Sequence, residues 1–221
     1  MRTRNIFILF TMLALHLSAC TDIEDGTTDI DSWPAINEYT LAHPCMLHTA
    51  ADLSYVASKL TVAPWSEGYD KLKNSGYSYA GYVPTPQEVL GRMDQGNWAS
   101  KFPEWWNNYT YFYKDAAAAY QLALRWKLEG DVACGQTAVK ILNAWAETCK
   151  GLVRVKSLAN DRTYDANGEI ADPNEYLISI NVHQMANAAE IMRTDETLFT
   201  KAQLSAFQTM MKNVFYPAAS D

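Results

Sequence analysis

Two consecutive alanine-rich segments constrain the fold of this chain more than any other feature. Residues 115–130 (DAAAAYQLALRWKLEG) carry apolar residues at helical spacing and stop at a glycine. Residues 131–151 (DVACGQTAVKILNAWAETCKG) open on an aspartate, a favoured helix N-cap, and stop at a second glycine. The small residues Ala116–Ala119 and Gly135 allow two helix axes to approach closely. The sequence therefore predicts an antiparallel helical hairpin packed through its alanine face.

Weaker helical pairs flank this hairpin. Thr49 opens the segment TAADLSYVASKL with Asp52 three residues later, which is the pattern of a capping box, and Pro64 opens the segment PWSEGYDKLKN. A third pair runs from about residue 174 to 193 and from 198 to 215. No alternating pattern is long enough for a sheet, and the hairpins recur roughly every 40 to 60 residues. The predicted fold class is all-α, built from (α/α) toroid-type helical hairpins in an incomplete toroid.

The first twenty residues have the pattern of an export signal. Arg2 and Arg4 precede an apolar run over residues 6–17, which is shorter than the roughly 20 residues that a membrane-spanning helix needs. The run closes on Leu-Ser-Ala-Cys, which resembles the bacterial lipobox and makes Cys20 the expected lipidation site. We expect residues 1–20 to be a lipoprotein signal peptide. The protein would then be exported and lipid-anchored in the periplasm or at the outer membrane or cell surface.

An acidic stretch, TDIEDGTTDID, follows Cys20, and residues 21–40 are interpreted as a solvated tether. The stretch resembles the acidic export signals of surface lipoproteins in Bacteroidetes-type bacteria, and a plain flexible linker is the open alternative. The formal charge of −7 disfavours nucleic acid or an anionic membrane face as a partner, so membrane contact is expected only through the lipid anchor. An aromatic content of 12% favours ligands with flat apolar faces, such as sugars.

The cysteines predict neither an internal pair on one helix nor a metal centre. Cys134 and Cys149 lie fifteen residues apart on one predicted helix, about 22 Å by helical rise, whereas a disulfide needs Cα atoms within about 7 Å. With Cys45, the three remaining cysteines are an odd number, which indicates a free thiol or a missing partner. Their spacing does not resemble a zinc site, and no cofactor or metal is predicted.

The candidate substrate-binding residues lie in the long aromatic segment 75–112 and just beyond it. Such long irregular segments are often binding segments or lids. An alternative reading makes its aromatic side chains a plug over the core and its cations ordinary solvated charges. The candidates are Arg92, Trp98, Trp105, Trp106, Asn107, Asn108, Tyr109 and Tyr113.

Five segments in order resemble the N-terminal part of the alginate-lyase-domain polysaccharide lyases. The resemblance covers residues 43–215 and implies that residues 41–221 are an alginate-lyase-like (α/α) domain. It also implies β-elimination on a uronic-acid-containing polysaccharide as the reaction, without a cofactor. The segments are HPCMLHTAADLSYV (43–56), PWSEGYDKL (64–72), DAAAAYQLALRWKLEGD (115–131), AVKILNAWAETCKGL (138–152) and QMANAAEIMR (184–193).

The resemblance places the main catalytic segment beyond this sequence. β-Elimination needs a group that neutralises the substrate carboxylate, a base for the C5 proton and an acid for the leaving oxygen. The family supplies them from an Asn-His pair, a Tyr and an Arg that follow the helix matching residues 198–215. Because the sequence stops at NVFYPAASD, we expect a domain truncated at its C-terminal end, whose isolated chain forms little or no unsaturated uronate.

His183 is the weak catalytic candidate that remains. It lies in NVHQMANAAEIMR, a predicted amphipathic helix whose polar side carries His183, Gln184, Asn187 and Glu190 and faces either water or a cleft. The resemblance matches this helix to a scaffold helix, which favours a structural or cleft-lining role. Truncation also predicts an exposed apolar patch near residues 204–217. Its expected members are Leu204, Phe207, Met210, Met211 and Val214.

Two other function classes compete with the lyase. A non-catalytic glycan-binding surface lipoprotein fits the lipobox, the tether and the aromatic segments equally well. A helical interaction scaffold of the tetratricopeptide type is disfavoured, because the hairpin spacing is irregular.

Overall fold

Six α-helices carry the part of the chain that the computed structural model describes, which is residues 41–91, 108–152, 157–158, 161–162 and 179–217. A 3₁₀ turn, Ser179–Asn181, precedes α5, and a π-helical turn, Met211–Phe215, continues α6. The helices are α1 (Ala50–Ala57), α2 (Trp65–Lys73), α3 (Tyr109–Glu129), α4 (Val132–Thr148), α5 (Val182–Met192) and α6 (Lys201–Met210).

Short strands make only two-stranded pairs among the described residues. β1 (Val89–Leu90) pairs in parallel with β2 (Gly151–Leu152), and β3 (Ser157–Leu158) pairs antiparallel with β4 (Asp161–Arg162). Helices account for 64% of the described residues. The predicted all-α class is confirmed at this level.

The chain divides into two units, Met1–Leu41 and Ala42–Asp221. Of the first unit, only Leu41 is among the described residues. The predicted signal peptide, the lipidation site Cys20 and the tether therefore lie outside the described residues. No described helix is both long and apolar enough to span a bilayer.

The α3–α4 hairpin forms as predicted. Gly130 ends α3 in the left-handed region (φ 76°), and only Gly130 and Asp131 separate the two helices, so the chain reverses at once. Ala116, Ala119 and Ala138 are fully buried along the hairpin. The hairpin forms the centre of the core, where Phe112 packs against Trp145 at 5.1 Å and against Phe215 at 4.8 Å between ring centroids.

Capping boxes open α1 and α6, and the sequence predicted the first of them. At α1, the Thr49 hydroxyl accepts from the Asp52 amide at 3.1 Å and the Asp52 carboxylate accepts from the Thr49 amide at 2.9 Å, so the predicted capping box is confirmed. Pro64 is the residue before α2 and not its first helical residue. α6 opens on a second capping box, in which Thr200 pairs with Gln203. It therefore begins three residues later than predicted.

Replacing Asp131 by alanine is expected to lower the free energy of unfolding by about 1 kcal/mol at neutral pH, because a helix N-cap is lost. The Asp131 carboxylate accepts from the Cys134 amide at 3.1 Å, and this bond holds the Asp131 pKa below its ordinary value of 3.8. A folded-state pKa below the unfolded value stabilises the fold above pH 3.8, and this contribution is lost as the pH falls through the folded pKa.

Denaturant unfolding of both chains, at neutral pH and below pH 3.8, measures this difference. The deficit of Asp131→Ala should shrink on acidification. Asp131→Asn is the matched control, because asparagine caps a helix but does not titrate. Equal stability of the wild type and Asp131→Ala at neutral pH would contradict the capping role.

The prediction of an exposed apolar patch on α6 is wrong for the residues that it named. Phe207, Met210 and Val214 are buried, since they face the core. Leu204 and Met211 are partly buried against the same core. The outer face of α6 carries small and polar residues, so the helix needs no further apolar cover there. Accessible apolar surface near the end of the helix lies instead around Tyr216, which is 67% exposed.

Candidate functional site

Two of the four residues on the predicted polar face of α5 pack against the chain itself and not against water. Asn187 and Glu190 are 5% and 7% exposed, because the segment 43–48 lies across them. The Asn187 side chain accepts a hydrogen bond from the Leu47 amide at 3.2 Å and donates to the His183 carbonyl at 2.7 Å. Half of the polar set predicted on this helix therefore holds the segment 43–48 in place.

One carboxylate oxygen, Oε1 of Glu190, gathers most of the polar contacts in this region. His43 Nδ1 lies 2.5 Å from it, the Cys45 amide donates to it at 2.9 Å, and the Cys45 thiol donates to it at 3.4 Å. The sulfur also lies 3.4 Å from His43 Nδ1. Arg193 Nη1 donates to the other oxygen, Oε2, at 3.2 Å. We call His43, Cys45 and Glu190 the Glu190 cluster.

The pKa shifts of Glu190 and Cys45 indicate which chemical roles these two residues can have. Partial burial raises the Glu190 pKa, but the hydrogen bonds from His43, Cys45 and Arg193 outweigh it and hold the pKa below its ordinary value. Loss of hydration and the neighbouring Glu190 carboxylate raise the Cys45 pKa. The thiol therefore stays protonated near neutral pH, which argues against Cys45 as a thiolate nucleophile.

A second imidazole pairs with a phenol. His48 Nε2 is hydrogen-bonded to the Tyr120 hydroxyl, and the two rings stack with centroids 5.8 Å apart. Burial lowers the His48 pKa and raises the Tyr120 pKa, so both groups are neutral near pH 7. A neutral imidazole can accept a proton from a third group, and a neutral phenol can donate one. This is the arrangement that general acid–base chemistry requires, provided that a substrate reaches the pair.

A groove with a cavity volume of about 580 Å³ lies between the start of α5 and the end of α6. Its side chains combine an apolar floor with polar groups at the rim. Phe215 is buried in the floor, while Gln208 and Lys212 are exposed at the rim next to Tyr216. We call it the Tyr216 groove; its lining is Val182, Gln208, Met211, Lys212, Phe215 and Tyr216.

The rim residues of the Tyr216 groove form a row. Gln208, Lys212 and Tyr216 are spaced four residues apart, which on a helix places each about 6 Å beyond the last. The row crosses the π-helical turn Met211–Phe215, and such turns occur frequently at functional sites. A carboxamide, an ammonium group and an aromatic ring thus line one side of an apolar groove.

The predicted substrate-binding residues fall into two groups. Asn108 is buried, and its side chain accepts from the Gly91 amide and donates to the Val89 carbonyl, both at 2.9 Å. These bonds give Asn108 a structural role, and its substrate-binding role stays a prediction. Tyr109 and Tyr113 are partly buried against the core and pack edge to face at 5.1 Å. The candidates that lie outside the described residues are Arg92, Trp98, Trp105, Trp106 and Asn107.

His183 is exposed at the start of α5. Its Nδ1 donates to the Ile180 carbonyl at 2.9 Å, a contact within its own helix start. The adjacent residue, Val182, lines the Tyr216 groove. This position fits the predicted structural or cleft-lining role, and no contact here identifies His183 as a base.

Sequence reasoning missed two groups of side chains among the described residues, the Glu190 cluster and the row that lines the Tyr216 groove. The Glu190 cluster joins positions 145 and 147 residues apart, a separation that no periodic pattern reports. The His-Pro-Cys triplet at residues 43–45 was its only local signal. The row of Gln208, Lys212 and Tyr216 could have been found from its spacing of four.

Comparison with protein-family models, with curated proteins and with solved structures finds no match to this chain.

Proposed function

We propose that this protein is a polysaccharide lyase of the alginate-lyase type that holds a uronic-acid-containing polysaccharide in the Tyr216 groove. The observation that carries the proposal is the lining of that groove, an exposed aromatic ring beside a cation and a carboxamide. The fold proposed for it is an (α/α) toroid to which the described hairpins contribute. The resemblance of residues 43–215 to the lyases supplies the reaction, β-elimination.

The aromatic ring of Tyr216 supplies the platform for a sugar. Its exposed face is apolar and its hydroxyl is polar, so the ring can pack against C–H groups and still make hydrogen bonds. Gln208 offers both a donor and an acceptor for sugar hydroxyls. Gln208 and Tyr216 each lie four residues, or about 6 Å by helical rise, from Lys212 between them, and this step is of the order of one sugar ring, so the row can meet successive units of a chain.

Lys212 gives the groove its preference for acidic sugars. In a chain of net charge −7, a polyanion is attracted only where a local cation faces it. The Lys212 ammonium group lies at the rim, in the same row as the aromatic ring. A uronate carboxylate bound beside the Tyr216 ring would therefore be neutralised by Lys212, and the binding would weaken as salt is added.

A non-catalytic glycan-binding lipoprotein is the second candidate, and one observation favours it. Among the described residues, no histidine lines the Tyr216 groove. Burial raises the pKa of Tyr82 and of Tyr120, which makes both phenols poor bases. The Tyr216 groove thus offers a sugar surface without a histidine base among its described lining residues, and the His48–Tyr120 pair is not part of that lining. Turnover is the property that separates the two candidates.

Replacing Tyr216 by alanine is expected to weaken binding of alginate oligosaccharides about 5- to 20-fold, which corresponds to about 1 to 1.8 kcal/mol. Lys212→Gln should weaken binding of the same oligosaccharides and abolish most of its dependence on salt. Isothermal titration of the full chain with alginate oligosaccharides and with a neutral glucan oligosaccharide measures both effects.

The matched controls are an exposed cation and an exposed tyrosine that do not line the Tyr216 groove. Lys201→Gln removes an exposed cation on α6 whose side chain is 82% accessible, and Tyr79→Ala removes a tyrosine that is 50% exposed elsewhere. Neither should change the affinity. Equal loss in control and groove variants, or a preference for the neutral glucan, would overturn the proposed groove.

Absorbance of the unsaturated uronate product tests the reaction itself. A lyase forms unsaturated uronate from alginate, whereas a non-catalytic glycan-binding lipoprotein binds the polysaccharide without forming this product. Turnover by a longer form of the protein would support the lyase. Turnover by the isolated chain that His183→Ala abolishes would show that the catalytic segment was misplaced. Binding without turnover in every form would favour the glycan-binding lipoprotein.

A further inference from the structure

We propose that the Glu190 cluster is a binding site for one zinc ion, with His43 Nδ1, Cys45 Sγ and Glu190 Oε1 as its protein ligands. The three atoms come from two distant parts of the chain, and the ligating groups all lie within 4.8 Å of one another. Imidazole nitrogen, thiolate sulfur and carboxylate oxygen are the three ligand types that zinc takes in proteins. The proposal is independent of the Tyr216 groove and of any glycan.

The distances between the three atoms are close to those of a tetrahedral zinc centre. Bonds of about 2.0 Å to nitrogen and oxygen and about 2.3 Å to sulfur place tetrahedral ligand atoms about 3.3 to 3.5 Å apart. The sulfur lies 3.4 Å from both His43 Nδ1 and Glu190 Oε1. Only the contact between His43 and Glu190, now 2.5 Å, has to open, by about 0.8 Å. The proton that now bridges these two atoms would be replaced by the metal.

The surrounding groups hold the carboxylate in position for such a role. Arg193 binds Oε2, the oxygen that faces away from the other two ligands, and the Cys45 amide donates to Oε1. Hydrogen-bonded partners of this kind orient ligands at metal centres. The Arg193 cation repels a metal ion, but the thiolate and the carboxylate together carry two negative charges close to it. The balance of charge therefore still favours a divalent cation.

Three protein ligands leave one tetrahedral position for a solvent molecule. Cys45 is exposed and the His43 side chain is 29% exposed, so water reaches the cluster. Zinc sites with three protein ligands and one water differ from closed structural sites, which have four protein ligands. Binding would displace the thiol proton of Cys45, while the Nδ1 proton of a neutral His43 would be replaced by one on Nε2, so zinc uptake should release the thiol proton to the buffer.

Zinc and cobalt titrations test the site directly. A tag-free full chain carrying Cys20→Ser would be titrated with Zn²⁺ against a chromophoric chelator, and with Co²⁺ while the visible and near-ultraviolet spectrum is recorded. We expect one equivalent of metal and, with Co²⁺, a thiolate charge-transfer band together with the visible bands of a tetrahedral ion. Cys45→Ser should remove the charge-transfer band. The same variant and His43→Gln should each lower the zinc affinity by more than about 100-fold, beyond the loss typical of an outer partner.

Matched variants separate a metal site from a hydrogen-bonded tether. His183→Gln alters an exposed histidine near the start of the same helix and should leave affinity and spectrum unchanged. Alkylation of the native chain provides a second readout, because Cys134 and Cys149 are buried while Cys45 is exposed. Zinc should slow modification of Cys45 at least tenfold.

Three results would each overturn the proposal. They are a cobalt spectrum without a thiolate band, zinc affinity that Cys45→Ser and His43→Gln leave unchanged, and alkylation of Cys45 that zinc does not slow. A purely structural tether would show lower stability in the variants together with these results. Circular dichroism of each variant establishes that the helices remain folded.

Discussion

Replacement of Asp115 by alanine is expected to destabilise the domain by about 3 to 5 kcal/mol, the largest effect of any single substitution considered for this chain. Asp115 is fully buried on α3. Its carboxylate accepts hydrogen bonds from the Tyr82 hydroxyl, the Thr85 amide and the Trp145 indole, each at 2.7 Å. Alanine would leave these donors without their acceptor, and the Trp145 indole is itself buried.

The size of the effect follows from what each donor loses. An unsatisfied buried donor costs about 1 to 3 kcal/mol, and the full cost applies only to the buried Trp145 indole. Water can replace part of the bonds to Tyr82 and Thr85, which lie nearer the surface. Because small domains have about 5 to 15 kcal/mol of total stability, Asp115→Ala should leave little margin at physiological temperature.

Denaturant unfolding and the near-ultraviolet circular dichroism of Trp145 provide the measurements. Asp115→Asn should cost less than alanine, since the amide keeps one acceptor oxygen. Asp70→Ala, at an exposed aspartate on α2, is the control and should change stability by less than about 0.5 kcal/mol. Equal midpoints for Asp115→Ala and Asp70→Ala would show that the carboxylate does not organise the core.

Replacement of Gly135 by alanine is expected to destabilise the domain by about 1 to 3 kcal/mol, although alanine is the better helix former. A Cβ atom at Gly135 would lie 2.8 Å from both Cγ and Cδ1 of Trp126, inside the contact distance of real Cβ atoms. These atoms are next to the Trp126 backbone, so the ring cannot swing clear without moving α3. The two helices of the hairpin would have to separate.

Gly68→Ala on α2 is the matched control. Nothing lies within 4 Å of a Cβ atom there, so alanine should stabilise the domain by about 0.5 to 1 kcal/mol through helix propensity alone. Combining Gly135→Ala with Trp126→Ala should cost less than the sum of the two single substitutions, as both the Cγ and the Cδ1 atom that obstruct the new Cβ are removed. A Gly135→Ala chain as stable as Gly68→Ala would mean that the hairpin has room at this crossing.

The parts of the fold that the sequence predicted are those determined by local interactions. Apolar spacing and the terminal glycines predicted the α3–α4 hairpin, and Thr49 with Asp52 predicted the start of α1. A helical period and a cap each involve residues within a few positions of one another. They can therefore be read without knowledge of the tertiary fold.

The candidate site was less predictable because its contacts are long-range. The polar side chains of Asn187 and Glu190 gave α5 an ordinary amphipathic pattern, and the pattern could not say that the segment 43–48 covers them. Asn108 was predicted at a binding rim because of its aromatic neighbours, whereas its amide binds backbone groups of residues 89 and 91. The burial of Phe207 and Met210 likewise depends on α4 packing against α6, which no single helix reveals.

The side-chain hydrogen bonds of Asn108 affect how the segment before α3 can vary among proteins with these helices. The Gly91 amide donates to the Asn108 side chain, and the Gly91 carbonyl accepts from the Tyr109 amide. The insert, the sixteen residues 92–107, therefore begins and ends next to the same pair of hydrogen bonds. For such an insert, each doubling of length adds only about 0.6 kcal/mol of closure entropy. The insert can therefore be exchanged or lengthened, by evolution or by design, while α3 and α4 stay unchanged.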